Sequence, residues 1–189
     1  MTQTATEPLF IDLEWTPNPN TIKLATSRVL LEQGVANFRE PAEAAPSSLA
    51  QQLFTVPGIS SVMFGKNFVT LTRTEEGDWV EIHEKAVGFL RPHLEAGLPV
   101  LEGPLPERAS NAGEAEDTLR IKEVLETEIR PAVAMDGGDI TFERYEDGVL
   151  YVHMKGSCSG CPSSTMTLKM GIENRLRQIV PGLREVVSS

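Results

Sequence analysis

Residues 156–165 read Gly-Ser-Cys-Ser-Gly-Cys-Pro-Ser-Ser-Thr and contain the only two cysteines of the chain, Cys158 and Cys161. An alternating stretch at 149–155 precedes them and predicts a strand, and a helical pattern follows from Pro162. Proline suits the first position of a helix, because its missing N–H has no intrahelical partner there. The pair is therefore predicted at a helix N-terminus, where free amides favour anions and lower the pKa of a thiol.

Outward from this motif, the C-terminal part has the pattern of one small α+β unit. Asp117 or Thr118 can cap a helix that carries apolar residues at helical spacing, with Pro131 at its end. The remaining predicted elements are a turn at 136–139, a hairpin around 146–148, the helix to about Ile179 and a last strand at 183–187.

The N-terminal part predicts a second α+β unit, with strands and helices at 9–15, 22–26, 28–31, 47–54, 59–64, 68–72 and 79–93. Periodicity fails between 97 and 116, where prolines and then small polar residues indicate a linker. We therefore expect two small α+β domains joined by a flexible linker. Their predicted bounds are 9–96 for the first domain, 97–116 for the linker and 117–189 for the second domain.

Composition excludes several classes of function. The formal net charge is −10 and both halves are acidic, so nucleic acid is not an expected partner. No apolar run approaches a membrane span, and the N-terminus lacks the pattern of a secretory or transit signal. We expect a cytoplasmic protein, although a matured organelle protein would have the same composition. No acid–base pair or nucleophile constellation predicts an enzyme.

The spacing of Cys158 and Cys161 alone leaves four uses open: zinc, an iron–sulfur cluster, thiol–disulfide chemistry, or none. Zinc prefers four ligands within one domain, and a lone strand histidine such as His153 is typically a surface residue. His83 and His93 belong to the other predicted domain. A thioredoxin-like motif follows a strand in a βαβ frame, whereas a hairpin precedes this pair.

A cluster held by two chains fits the number of cysteines, since two thiolates from each of two molecules supply the four that a cubane cluster takes. Such an exposed, shared site favours cluster donation over durable electron transfer. A thiol–disulfide protein and an electron-transfer protein remain the alternatives. The basic residues Lys155, Lys169, Arg175 and Arg177 predict a locally positive surface near the cysteines.

Other residues near the motif have plainer interpretations. Asp136 and Asp139 are expected to cap or solvate a turn whose glycines set the backbone. Met166 and Met170 are expected to pack in the core rather than to bind metal. The tryptophans Trp15 and Trp79 are expected at core or rim positions.

Two stretches of the chain resemble the Nfu-type iron–sulfur scaffold or carrier proteins. Residues from about 119 to 187 resemble the NifU-like C-terminal domain through Ile129-Arg-Pro-Ala-Val133, Asp136-Gly-Gly-Asp139, Gly156-Ser-Cys-Ser-Gly-Cys-Pro-Ser-Ser-Thr165, Leu168-Lys-Met-Gly-Ile-Glu-Asn174 and Val180-Pro-Gly182. Residues from about 10 to 94 resemble the N-terminal domain through Thr16-Pro-Asn-Pro-Asn-Thr21, Leu49-Ala-Gln-Gln-Leu-Phe-Thr-Val-Pro-Gly58 and Val62-Met-Phe-Gly65.

The resemblance implies a carrier of a [4Fe–4S] cluster that bridges two subunits and is handed to apo iron–sulfur client proteins. Cys158 and Cys161 match the ligand positions of the family. The resemblance further implies a homodimer when the cluster is bound, and exchange with upstream cluster-assembly machinery. The first domain has no cysteine, so its implied role is recognition of clients or assembly factors.

Overall fold

A computed structural model of the chain describes residues 8–103, 115–160 and 162–188, with only the backbone of 162–164. The described residues form two compact units. The first contains residues 8–15 and 20–103, and the second contains residues 16–19 and 115–188. Each unit combines helices with its own sheet, so the predicted class of two α+β domains is confirmed. Most of the predicted linker lies outside the described residues.

The first unit is built on a five-stranded antiparallel sheet in the order β1-β2-β5-β4-β3. Its strands are β1 (Ile11–Trp15), β2 (Thr21–Thr26), β3 (Ala36–Phe38), β4 (Ile59–Phe64) and β5 (Phe68–Arg73). Its helices are a 3-10 turn at Pro41–Ala44, α1 (Ser48–Phe54) and α2 (Trp79–Glu95). The sequence pattern predicted both α-helices and every strand except β3.

The strand predicted at 28–31 is wrong. The N–H groups of Leu30 and Leu31 both point to the carbonyl of Lys66, at 2.6 and 3.4 Å. Two donors on one acceptor form a bend, because a strand ladder pairs alternate residues with successive partners. The strand forms later instead, where Ala36 and Phe38 are buried.

Helix caps and a continuous apolar core hold the first unit together. Ser47 begins α1 by accepting the N–H of Ala50 at 3.1 Å and donates to the carbonyl of Val100 at 2.6 Å. Val100 is itself part of the buried core. Leu101 packs against the same core, and the N–H of Glu102 donates to the carbonyl of Pro46 at 2.7 Å, so the chain contacts the first unit five residues past the predicted start of the linker.

The second unit joins a helical segment, a three-stranded sheet and a long helix. The helical segment comprises α3 (Glu116–Val124), a π segment (Leu125–Ile129) and α4 (Arg130–Met135). The sheet has the order β6-β7-β8, with β6 (Gly138–Glu146) antiparallel and β8 (Glu185–Ser188) parallel to β7 (Val149–Gly156). Helix α5 spans Pro162–Arg177 between β7 and β8. In the β6–β7 turn Asp147 and Gly148 have φ of 50° and 80°, as a two-residue type I′ hairpin requires.

The prediction that Pro131 ends the first helix of this unit is wrong, because α4 continues to Met135. In the π segment the N–H of Arg130 bonds to the carbonyl of Leu125, five residues earlier. This wider turn shifts the hydrogen-bond register just before the proline. Pro131 then occupies the first turn of α4, where a missing N–H is tolerated.

No helix in the described ranges is both long enough and apolar enough to cross a membrane. The two tryptophans differ in exposure. Trp79 is partly buried against the first core, and the guanidinium of Arg73 lies 4.9 Å from its ring centroid. Trp15 on β1 is 69% exposed, so it belongs to the rim rather than the core.

Candidate functional site

Cys158 lies in a tight loop between β7 and α5, as the sequence pattern predicted. Two glycines with positive φ, Gly156 at 60° and Gly160 at 80°, bound this loop. The N–H of Cys158 donates to Lys155 O at 3.3 Å, and that of Ser159 donates to Gly156 O at 3.1 Å. The loop therefore turns back on the end of β7. Cys161, the second predicted ligand, lies outside the described residues, and α5 begins immediately after it at Pro162.

The thiol of Cys158 lies against the backbone of Gly138 at the start of β6. Gly138 pairs with Gly156 in the hairpin register, which brings the two ends of the hairpin together beneath the loop. A Cβ atom on Gly138 would overlap Sγ of Cys158 and would lie 3.1 Å from Oγ of Ser157. The absence of a side chain at 138 therefore creates the space that the thiol fills. The sequence analysis treated this glycine only as part of a turn.

Cys158 is 7% exposed and belongs to the apolar core of the second unit. The pKa of its thiol is raised to about 12 in total: burial raises it most, a hydrogen bond with Ser157 lowers it, and the charges of Asp139 and Asp136 add to the increase. The expectation of a lowered pKa at a helix N-terminus is therefore wrong for this thiol. Burial and the two nearby carboxylates raise the thiol pKa more than the partial positive charge at a helix N-terminus lowers it.

Asp139 was predicted to cap or solvate a turn, and this prediction is wrong. The residue is 3% exposed and forms an ion pair with Arg130. The guanidinium of Arg130 donates from Nε to Oδ1 at 2.7 Å and from Nη2 to Oδ2 at 3.1 Å. Its remaining Nη1 donates to both carboxylate oxygens of Glu126 at 2.8 Å. Asp136 is exposed at the end of α4, and Gly137 follows it with a φ of 75°. The glycine part of the predicted turn is therefore confirmed.

A cleft opens beside Cys158 between the helical segment and α5. The described side chains of this unit that line it are mainly apolar, with Ile129, Ala132 and Val133 on one wall and Thr167, Leu168 and Ile172 on the other. Asp136 and Ser157 supply its polar edge. Cys158 thus lies where the apolar core meets this cleft, and its sulfur is a soft donor suited to iron.

Met166 and Met170 lie on the surface, with 66% and 59% of each residue exposed, so the expectation of core packing is wrong. The core side of α5 belongs to Ile172 and Leu176, which are buried. Met170 precedes Ile172 by two positions, a rotation of about 200° around a helix with 3.6 residues per turn. The methionines therefore lie on the outer face of α5.

The predicted positive surface near the cysteines is largely neutralised by ion pairs. Each of three predicted basic residues meets a carboxylate: Lys169 with Glu185 at 3.7 Å, Arg175 with Glu128 at 2.6 Å, and Arg177 with Glu173 at 3.0 Å. No local pattern predicts the first two pairs, since their partners lie on other elements.

The histidines do not complete a metal site. His153 is half-buried on β7, and His93 is buried in the first unit with Nε2 3.1 Å from the carbonyl oxygen of Pro99. Within residues 8–103, 115–160 and 162–188, no three His, Cys, Asp or Glu side chains are grouped to hold a metal ion. The described part of one chain therefore contains one cysteine, Cys158, and no grouped set of metal-binding side chains.

Two protein-family models match separate parts of the chain. Residues 121–187 match the family model described as "NifU-like domain", and residues 11–97 match "Scaffold protein Nfu/NifU N terminal". A solution structure of a NifU-like protein from Saccharomyces cerevisiae is 24% identical, with a TM-score of 0.48, over 55% of this chain and 93% of that chain.

Curated relatives extend over both units. "NFU1 iron-sulfur cluster scaffold homolog, mitochondrial" from Homo sapiens is 38% identical over 94% of this chain and 71% of its own length. The proteins of the same description from Drosophila virilis and Drosophila grimshawi are 38% and 39% identical over 98% and 94% of this chain. The chain spans 63% and 60% of those two relatives, which is less than two thirds of their length. The chain therefore belongs to the Nfu/NifU family of iron–sulfur cluster scaffold proteins.

Proposed function

We propose that this protein carries a labile [4Fe–4S] cluster between two subunits and transfers it to apo-proteins. Cys158 and Cys161 of each subunit are the ligands. The observation that carries the proposal is the position of Cys158, whose sulfur is backed by Gly138 and lies at the edge of an open apolar cleft. Family membership supports an iron–sulfur cluster as the cargo, and the position of the loop beside the cleft supports this location for it.

The number of donors supports a shared site. A cubane cluster takes four thiolates, and the chain has two cysteines. No other group in the described residues completes the shell. A second copy of the chain has the same loop and so supplies the two further thiolates, without any other type of ligand.

The residues around Cys158 suit a bound but releasable cargo. Sγ packs beside the Gly138 backbone, while the apolar walls of the cleft limit access of water to the iron–sulfur bonds. On transfer, the iron bonds to Cys158 and Cys161 break, and thiolates of the acceptor form the replacement bonds. The four sulfurs released from the two subunits take up the protons that the acceptor thiols lose to solvent, so the oxidation state of the cluster does not change.

The first unit is proposed to dock client proteins or upstream assembly factors, because it contains no cysteine and thus no cluster ligand. We propose 9–96 and 117–189 as the bounds of the two domains and 97–116 as the linker between them, whose first residues pack against the first unit. The protein is proposed to act in the cytoplasm and without catalysis of its own, as a carrier rather than an enzyme. Neither a membrane nor nucleic acid is a proposed partner.

Anaerobic reconstitution with ferrous iron and sulfide tests the proposal. We expect a brown protein with about four irons per dimer, lost in both Cys158→Ser and Cys161→Ser, and rapid delivery to an apo iron–sulfur acceptor. Stable reversible redox cycling without delivery would instead indicate electron transfer. Failure to take up iron, together with a defined dithiol potential, would indicate a thiol–disulfide protein.

A further inference from the structure

The outer face of α5 carries an exposed methionine pair directly after the cysteine loop. Met166 and Met170 are one helical turn apart and are among the most exposed apolar residues of the described chain. They line a shallow concavity together with Gly160, Thr165, Lys169 and Glu173. We call Met166, Lys169, Met170 and Glu173 the methionine face. Since Gly160 belongs to the loop of Cys158, this face adjoins that loop, on the side of α5 opposite the cleft beside Cys158.

Exposed methionine pairs are unusual on a surface that has no partner. Methionine is flexible and polarisable, so it adapts to irregular apolar surfaces and recurs at binding faces. Here the pair is exposed because the opposite side of α5 already fills the core through Ile172 and Leu176. Packing in the core of this unit therefore does not explain why these two exposed residues are apolar.

The charges of the methionine face are satisfied within the protomer. Lys169 pairs with Glu185, and Glu173 pairs with Arg177 while accepting the N–H of Val186 at 2.9 Å. A face with one sign of charge would repel an identical copy, because a twofold axis places the same patch on both sides of the contact. This face has no such excess, so it suits an identical copy better than a strongly charged partner.

We propose that the methionine face is the surface through which a second copy of this chain packs when the two protomers share a cluster. This inference rests on the proposed function, which requires the second copy to bring its own cysteine loop alongside the first. A twofold axis through the cluster then places the start of α5 in one protomer beside the start of α5 in the other. Met166 and Met170 pack across that axis and exclude water from one side of the cargo.

The test compares the full chain with the double variant Met166→Glu/Met170→Glu after anaerobic loading with iron and sulfide. Two acidic residues on each side of a twofold contact repel each other, so we expect the dissociation constant of the loaded dimer to rise by about tenfold or more. The control Val29→Glu/Val80→Glu adds the same charges at positions 54% and 75% exposed in the first unit, and it should leave the constant unchanged. Met166→Leu/Met170→Leu should also retain the dimer.

The outcomes separate this inference from the function on which it rests. A wild-type protein that loads no cluster, or loads it as a monomer, overturns the proposed function and this inference together. A wild-type loaded dimer that is matched by an equally stable Met166→Glu/Met170→Glu dimer overturns only the inference. A variant that keeps the dimer but delivers its cluster slowly also overturns it, because the face then serves the acceptor.

Carbene footprinting on the wild-type protein gives a second readout that needs no substitution. Labelling of the segment from Met166 to Met170 should fall by about half or more on loading, as expected for side chains buried in an interface. Labelling of Val80 should not change. Protection already present in the unloaded monomer would mean that the chain covers this face itself, and would overturn the inference.

Discussion

The guanidinium of Arg130 grips both carboxylate oxygens of Asp139, at 2.7 and 3.1 Å, in the interior of the second unit. The residue that follows Gly138 is thus fixed to the helical segment that forms one wall of the cleft. This ion pair therefore connects the start of β6, which contacts the thiol of Cys158, to that wall of the cleft. Glu126 accepts a further hydrogen bond from the same arginine.

Replacing Arg130 with methionine should therefore destabilise the second unit strongly. The change leaves Asp139 charged and buried, a situation that costs about 3–5 kcal/mol in other proteins. Hydrogen exchange of peptides from β6 and β7 measures the loss. Both tryptophans lie in the first unit, so the unfolding transition followed by their fluorescence should be the same in the variant and the wild type.

Two further variants check the origin of this effect. Arg120→Met removes an exposed pair with Glu116 and should cost only about 0.5 kcal/mol or less. Arg130→Met/Asp139→Leu removes both charges and should recover much of the lost stability. A double variant as unstable as Arg130→Met would show that packing of the arginine stem, rather than charge, dominates.

Gly138→Ala should impair cluster loading more than folding. The added methyl overlaps Sγ of Cys158, which can rotate away, while the Ser157 hydroxyl and the Cys158 N–H nitrogen at 3.1 and 3.2 Å need to shift only slightly. We expect a stability loss of about 1–3 kcal/mol, typical of overpacking, and a redirected thiol.

Iron content after reconstitution and the unfolding free energy are the two measurements for this variant. Gly88→Ala is the control, because a methyl there meets no atom within 4 Å and lies within α2. That variant should be neutral or slightly stabilised, since alanine is favoured over glycine in a helix. Normal loading by Gly138→Ala would contradict the role of this contact in placing the sulfur.

The thiol of Cys158 should react slowly in the protein without cargo. In Cys161→Ser it is the only thiol, 7% exposed and with a pKa raised to about 12 chiefly by burial. Because the thiolate is the reactive form, alkylation at pH 7 should be at least about a hundredfold slower than for an ordinary cysteine of pKa about 8.5.

The alkylation rate should rise with pH and reach the ordinary value in denaturant. An exposed reference thiol is obtained with Val80→Cys in a chain that also carries Cys158→Ser and Cys161→Ser. Equal rates for the two thiols in the folded proteins would mean that the loop opens readily and that the burial of Cys158 does not persist in solution.

Gly148 and Gly160 have the same φ of 80°, so their alanine variants distinguish the cost of backbone strain from the cost of steric overlap. Gly160→Ala adds a methyl into open space, so it should cost only the strain of a left-handed residue, about 1–2 kcal/mol. Gly148→Ala places a methyl 2.6 Å from the carbonyl oxygen of Gly182, and should cost more. Comparing the two unfolding free energies checks this order. The reverse order would mean that the hairpin end moves away from Gly182 at little cost.

Local patterns were sufficient to predict most elements and the loop of the cysteines. The alternation along β7 and the position of Pro162 are properties of neighbouring residues, and the structure confirms both. Likewise the glycine at 148 and its positive φ follow from the chemistry of a tight hairpin turn.

Features that depend on distant partners could not be predicted in this way. The burial of Cys158 depends on Gly138, which lies twenty residues earlier and reaches the thiol only through the hairpin register. The exposure of Met166 depends on which face of α5 the sheet covers, and an apolar residue fits either face by composition. The strand predicted at 28–31 failed for a related reason, since one carbonyl of Lys66 captured two donors.

The π segment at Leu125–Ile129 has a consequence for how this chain tolerates changes in length. A π turn holds one more residue than an α turn, so it corresponds to a single-residue insertion absorbed without breaking the helix. Deleting one residue there should restore a regular α-helix and rotate α3 by about 100° relative to α4. Ile121 and Val124, which are buried, would then turn away from the core. The extra residue therefore keeps the apolar faces of α3 and α4 on the same side of the helical segment. A deletion in this segment would require a compensating change in the apolar pattern of α3.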